Sequence, residues 1–245
     1  MNDDGSPDTV LSILRDRDLN AQPIAELPGA KTPDLFVEDG ARRILTEVKS
    51  KDHDQQLRQL LEAPAGTQIS YKLSSLDTIL RGAWHQIRDF PQRRADDLAL
   101  IWFIARATGG ITILSGLAMR SLLYGTAMLE GRRRDGTSYQ HKCYFFSESA
   151  FFRRKEVDGV VLHDDKAVEL CLNPFSPRSS ALREVLGSKF ASVDPGTLEA
   201  DRQCFIADCN HDRRNTAAVV QFLKEKYSLD TVAILNYTFL NLPVE

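Results

Sequence analysis

Apolar residues recur along this chain in two rhythms. From Ser74 onward, Leu76, Ile79, Leu80, Ala83, Trp84 and Ile87 repeat at spacings of three and four. That is the period of an amphipathic helix, and it stops near Pro91. Leu98–Ala105 is an unbroken apolar run and reads as a buried strand. Upstream, Val10-Leu11-Ser12-Ile13-Leu14 reads as a short helix capped by Asp8. Pro23–Leu27 reads as a short strand. Asp34–Val37 and Arg43–Lys49 read as two strands of a hairpin turning at Asp39-Gly40.

Residues 50–70 are polar apart from Leu57, Leu60 and Leu61, and are expected to form a loop or short helix. After the break at Gly109-Gly110, Leu117–Leu129 is expected to be helical and Cys143–Ser147 a strand. Val157–His163 and Ala167–Leu172 read as a second hairpin, turning at Asp164-Asp165. Cys204–Asp208 reads as a strand, Thr216–Tyr227 as a helix and Thr231–Tyr237 as a strand. The order through residue 150 is α, β-β-β, α, β, α, β. An α/β fold is expected, with a soft boundary separating a core over residues 1–150 from a C-terminal α/β extension over 151–245. A substrate-specificity element, a homodimer surface or further sheet are the roles open to that extension.

Composition narrows the class. The chain has 245 residues, of which 42 % are hydrophobic and 27 % charged, and its formal net charge is −3. So much apolar content beside so little net charge excludes intrinsic disorder. The longest apolar run is far below the ~20 residues of a spanning helix, so no membrane association is expected. Four scattered cysteines are too few for a disulfide scaffold. The first residues are acidic and lack a basic-then-apolar leader. A cytoplasmic protein with reduced thiols is the expectation.

The candidate chemistry gathers on the first hairpin. Residues i and i+2 of a strand share a face, so Glu47 and Lys49 project together. A turn at Asp39-Gly40 folds Asp34 back beside them. Two carboxylates are hard oxygen ligands of the kind Mg²⁺ prefers. A lysine beside them can hold a water or neutralise a phosphate.

This pattern, Pro33-Asp34, twelve intervening residues, then Glu47-Val48-Lys49, resembles the PD-(D/E)XK nuclease superfamily. The resemblance covers roughly residues 8–150 and includes the αβββαβ order around the motif. It implies a restriction-endonuclease-like core with a mixed central sheet flanked by helices. It implies a divalent-metal-dependent endonuclease acting on nucleic acid, DNA before RNA. By that resemblance Asp34 and Glu47 would ligate Mg²⁺ or Mn²⁺ with the backbone carbonyl of Val48, and Lys49 would orient the attacking water. Many members carry a polar residue on the following helix, a place that Gln86 matches. Lys72, just before that helix, is a candidate phosphate contact. Asp16 and Glu26 are candidates for a further acid. A catalytically silent relative, acting as a nucleic-acid-binding or protein-interaction subunit, is the alternative.

Between residues 132 and 155 seven basic residues face two acidic ones, a local net of +5. Arg132, Arg133 and Arg134 lead that segment, and six aromatic residues lie within it. Cations contact phosphates and aromatic rings stack on unpaired bases, so the segment is a candidate nucleic-acid interface. Two other patterns compete for the chemistry. Asp158 with Asp164-Asp165-Lys166 contains a second D-x-K, but Asp164-Asp165 sits where a turn is expected. Cys204, Cys209 and His211 suggest zinc, but the two cysteines are five apart and no second pair has zinc spacing.

Overall fold

A computed structural model describes residues 6–51, 74–105, 110–164 and 167–235. The chain is α/β. Helix α1 (Pro7–Arg15) precedes strands β1 (Asn20–Pro23), β2 (Leu35–Asp39) and β3 (Arg42–Lys51). Helix α2 (Ser74–Arg88), β4 (Leu98–Ala105) and α3 (Gly110–Tyr124) follow. Next come β5 (Ala127–Arg132), β6 (Ser138–Tyr144), α4 (Ala150–Arg153), β7 (Gly159–His163) and β8 (Val168–Leu172). The last elements are α5 (Ser179–Leu186), β9 (Ala191–Val193), α6 (Pro195–Ala200), β10 (Cys204–Ile206), α7 (Thr216–Tyr227) and β11 (Thr231–Leu235).

Two sheets form. The larger has seven strands in the order β1-β2-β3-β4-β7-β8-β9. It is mixed: β1, β2 and β3 pair antiparallel, while β3-β4 and β4-β7 pair parallel. The β7-β8 pair is antiparallel and β8-β9 parallel. The smaller has four strands, β10-β6-β5-β11. Each sheet takes strands from both sides of residue 150: β7, β8 and β9 extend the larger, and β10 and β11 flank β5-β6 in the smaller. The second hairpin pairs as its alternation indicates, Gly159 opposite Leu172 through His163 opposite Val168.

All eight residues of β4 are buried, which is why the run is apolar on both faces. Ala99, Ile101, Phe103 and Ala105 face a core built with α2 and α3. Leu98, Leu100, Trp102 and Ile104 face a core built with α1 and α5. The alternation of β3 is locked to this. Leu45 faces α2, and Ile44 and Val48 face α1. Glu47 and Lys49 therefore lie on the α2 side of the sheet.

Several expected boundaries move. The cap of α1 is Ser6, with Pro7 at the first helical positions, so Asp8 sits in the first turn, where a carboxylate suits the helix dipole. The first strand is Asn20–Pro23 rather than Pro23–Leu27. The helix expected over Leu117–Leu129 ends at Tyr124 because Gly125 turns left-handed, φ +58. A Cβ there would also lie 2.3 Å from the Ser147 carbonyl oxygen, so only glycine fits. The strand expected at Cys143–Ser147 is Ser138–Tyr144, because Phe145 takes φ 61 and breaks it. Most of the aromatic run is core: Tyr144, Phe145 and Phe151 pack edge-on around the fully buried Tyr124, whereas Phe152 is exposed. The expectation for residues 52–70 lies outside the described residues.

Candidate functional site

The hairpin carries the site. Asp39 pairs with Arg42 across a two-residue connection containing Gly40 at φ +60. This register places Leu35 opposite Thr46, so Asp34, one residue earlier, lies beside Glu47. The Asp34 Oδ2 accepts the backbone N–H of Val48 at 2.7 Å. In an antiparallel pair a residue's N–H and C=O face the same neighbour. The Val48 carbonyl thus faces the side of β3 on which Asp34 stands.

Glu47 is fully buried. Its Oε1 accepts from the Lys49 ammonium, and Lys49 also donates to the Gln86 Oε1 at 2.8 Å. Helix α2 positions Gln86, because Leu76, Leu80, Ala83, Trp84 and Ile87 seat its apolar stripe on the sheet. The Glu47 Oε2 is buried without a donor. Burial, then the negative charge of Asp34, pushes the Glu47 carboxyl up to about 8, against the lowering pull of Lys49. Asp34 is also close enough to share a hydrogen bond with Glu47 when one of them carries a proton.

That donor set fits a hard divalent ion. It offers two carboxylates, one of them with an orphaned buried oxygen, and a backbone carbonyl beside them. Asp34, Glu47, Val48, Lys49 and Gln86 are brought together. Lys51 joins them on the same face of β3, and its ammonium donates to Ser75 Oγ at 2.9 Å. The alternation that pairs Glu47 with Lys49 could have found it. Glu26 lies with Gln86 along one cleft, whereas Asp16 closes α1 on the opposite side of the sheet.

The remaining candidates lie elsewhere. Arg132, Arg133 and Arg134 stand at the tip of the β5-β6 hairpin, in the smaller sheet. Arg132 pairs with Glu130 at 3.7 Å, and Arg133 covers the Tyr139 ring at 5.0 Å. With Lys224 and Asp230, Arg133 and Arg134 line a separate cleft of ≈ 620 Å³. Arg153 and Arg154 both bind Asp77 on α2, at 2.9 Å each. The arginines of the +5 segment are thus divided between two places rather than forming one face. Lys72 lies outside the described residues.

The competing patterns are structural where they are described. Asp158 is fully buried, accepts the Ala99 N–H at 2.7 Å, and is bound by Ser176 and Arg178. It pins β4 to the turn after β8. Cys143, Cys171 and Cys204 are buried free thiols. Burial pushes Cys171 up to about 12 and Cys204 to about 11, away from the thiolate that zinc needs. Among the described residues no group of three or more His, Cys, Asp or Glu side chains is arranged to hold a metal, so the hairpin site offers two carboxylates and main-chain oxygen. Among them, too, no helix is long and apolar enough to cross a membrane.

No protein-family model matches the chain, and neither a curated protein nor a solved structure matches it at a significant level.

Proposed function

We propose that this protein is a divalent-metal-dependent phosphodiesterase that hydrolyses nucleic acid, DNA before RNA, on a restriction-endonuclease-like core. The observation that carries the reading is the Glu47 carboxylate. One oxygen is bound by Lys49 and the other is buried without a donor beside a second carboxylate. A buried carboxyl left half-satisfied is costly, and a buried acid pushed up by desolvation and a neighbouring carboxylate is the kind of group that marks a candidate working site. The fold supports it as well. A β2-β3 hairpin carries the acids, a helix covers it, and a parallel strand follows.

Asp34 and Glu47 would hold Mg²⁺ or Mn²⁺, with the Val48 carbonyl as a further oxygen. Such an ion, when bound, supplies a Lewis acid for the charge that develops on the phosphate. The chain does the rest. The Val48 N–H fixes the Asp34 carboxylate. Gln86 and Glu47 together hold the Lys49 ammonium, which donates to a water or to a phosphate oxygen. Water oxygen bonds to phosphorus as the P–O bond to the leaving nucleotide breaks; the attacking water gives up a proton to solvent and the leaving oxygen takes one up. With its carbonyl engaged by Lys49, Gln86 keeps two N–H donors for substrate.

Plasmid and single-stranded DNA incubated with the protein and Mg²⁺ or Mn²⁺ test this. The wild type cuts and Lys49→Ala does not. Identical behaviour of the two proteins contradicts the reading.

A further inference from the structure

A cavity of ≈ 410 Å³ lies where the smaller sheet meets the β8-β9 edge of the larger one. It is lined by Tyr144 from β6, Arg120 from α3, Glu169 from β8, Arg183 from α5 and Asp194 just after β9. Strands β4 and β7 separate β8 from the hairpin that carries Asp34 and Glu47, so this is a different place from the hairpin site. Its volume falls within the roughly 300–1,000 Å³ of small-ligand sites.

Two polar groups there have no partner. Tyr144 is 4 % exposed, and its ring packs edge-on against Tyr124 at 5.4 Å. Its hydroxyl makes no hydrogen bond among the described residues. Buried tyrosine hydroxyls usually find one. Lys142 stands two residues earlier on the same face of β6. It makes no hydrogen bond or ion pair among the described residues either. Burial, then the positive charge of Arg120, pulls its ammonium below the ordinary lysine value, so Lys142 stands among the charges that line the cavity. Those charges cancel: Arg120 pairs with Glu169, and Arg183 with Asp194 at 2.8 Å. Lys142 is the charge in excess. A half-buried cation of this kind is stabilised by one anion, and the phenol adds a donor beside it. One negative charge on acceptor oxygens is a carboxylate. A phosphate monoester, at about −1.5 to −2 near neutral pH, overcharges the site.

We propose that this cavity binds a small organic carboxylate, whose oxygens accept from the Tyr144 hydroxyl and the Lys142 ammonium between the Arg120–Glu169 and Arg183–Asp194 pairs. The inference does not depend on the phosphodiesterase reading.

Thermal unfolding of the intact protein near neutral pH, titrated with sodium acetate against sodium chloride of equal ionic strength, tests it. Acetate raises the midpoint along a saturating curve, by about 3 °C over chloride at roughly ten times its half-saturating concentration. Tyr144→Phe keeps the ring against Tyr124 and raises the half-saturating concentration about fivefold, the scale of one lost hydrogen bond. Lys142→Met keeps the length of the side chain, removes its charge and abolishes the saturating rise. If that variant does not fold, Tyr144→Phe carries the test. Sodium phosphate, run in parallel, stabilises less than acetate. An acetate effect no larger than that of chloride overturns the proposal. So does an equal acetate effect in the wild type and the folded variants. Phosphate that saturates at a lower concentration than acetate overturns it as well.

Discussion

The carboxylate of Asp34 accepts a hydrogen bond from the backbone N–H of Val48, 2.7 Å away on the neighbouring strand. This bond ties the end of the β2-β3 pairing to the residue between Glu47 and Lys49, so the first acid is held by the strand that bears the second. Asp34→Ala leaves that N–H without its acceptor and is expected to cost about 1–3 kcal/mol. Asp34→Asn keeps an accepting oxygen for that N–H, so it is expected to cost less than Asp34→Ala. Urea denaturation of both variants checks this, and an Asn variant as unstable as the Ala variant contradicts it.

The buried Glu47 makes stability fall as pH rises. Its folded-state carboxyl is raised from 4.5 to about 8, so the folded protein holds a proton that the unfolded chain has released. The contribution is fully present below about 4.5 and is lost between there and about 8, at up to ~1.4 kcal/mol per pH unit. Glu47→Gln lacks this slope, and the difference between the two proteins in urea unfolding from pH 5 to pH 9 reports it. On the proposed reading Mn²⁺ would take that proton's place between Asp34 and Glu47, so it is expected to raise the wild-type midpoint more at pH 9 than at pH 6. A metal-induced shift that is the same at both pH values, or the same in Glu47→Gln, contradicts the assignment.

Asp158 is a structural acid. It is buried, with Arg178 at 3.2 Å and a backbone N–H on the same oxygen. Asp158→Ala strands the arginine and the amide and is expected to cost about 3–5 kcal/mol. Chemical denaturation measures that cost. A stable Asp158→Ala protein without hydrolytic activity would move the chemistry to this acid.

Gly125 ends α3 in a left-handed turn against the Ser147 carbonyl. Gly125→Ala meets both the αL penalty and a backbone clash, for a loss of about 2 kcal/mol or more. Gly82→Ala, in open space on α2, is expected to gain up to about 1 kcal/mol. Thermal unfolding of the two variants distinguishes a glycine the fold needs from one it does not.

The hairpin, α2 and β4 were legible in the sequence because each buries one kind of face against one layer. Period two, period 3.6 and an unbroken apolar run are each unambiguous there. Asp34, Glu47 and Lys49 followed from that geometry, and Gln86 from the family resemblance. The left-handed residues were not legible. Gly125 and Phe145 set where α3 and β6 end, and both act through contacts distant in sequence, with Ser147 and Tyr124. Strand order was hidden as well: β7 joins β4 across a crossover that passes through the other sheet, which no local pattern records. The basic segment misled for a related reason. Its charges are contiguous in sequence, but a hairpin and a helix carry them apart, and most of its aromatic rings are core.

The proposed phosphodiester hydrolysis centres on the Glu47 carboxylate, with Asp34 and Lys49 beside it. Single-turnover cleavage of a labelled DNA strand with Mg²⁺, comparing wild type with Glu47→Gln at pH 8, tests it most directly. The substitution keeps the side chain's shape and removes a charge the fold does not need, so the variant is at least as stable as wild type. The expected result is a rate lower by at least about 10²-fold, the scale on which removing one electrostatic group at a reacting centre is felt. A Glu47→Gln protein that cleaves at the wild-type rate, or a wild type that does not cleave at all, contradicts the claim.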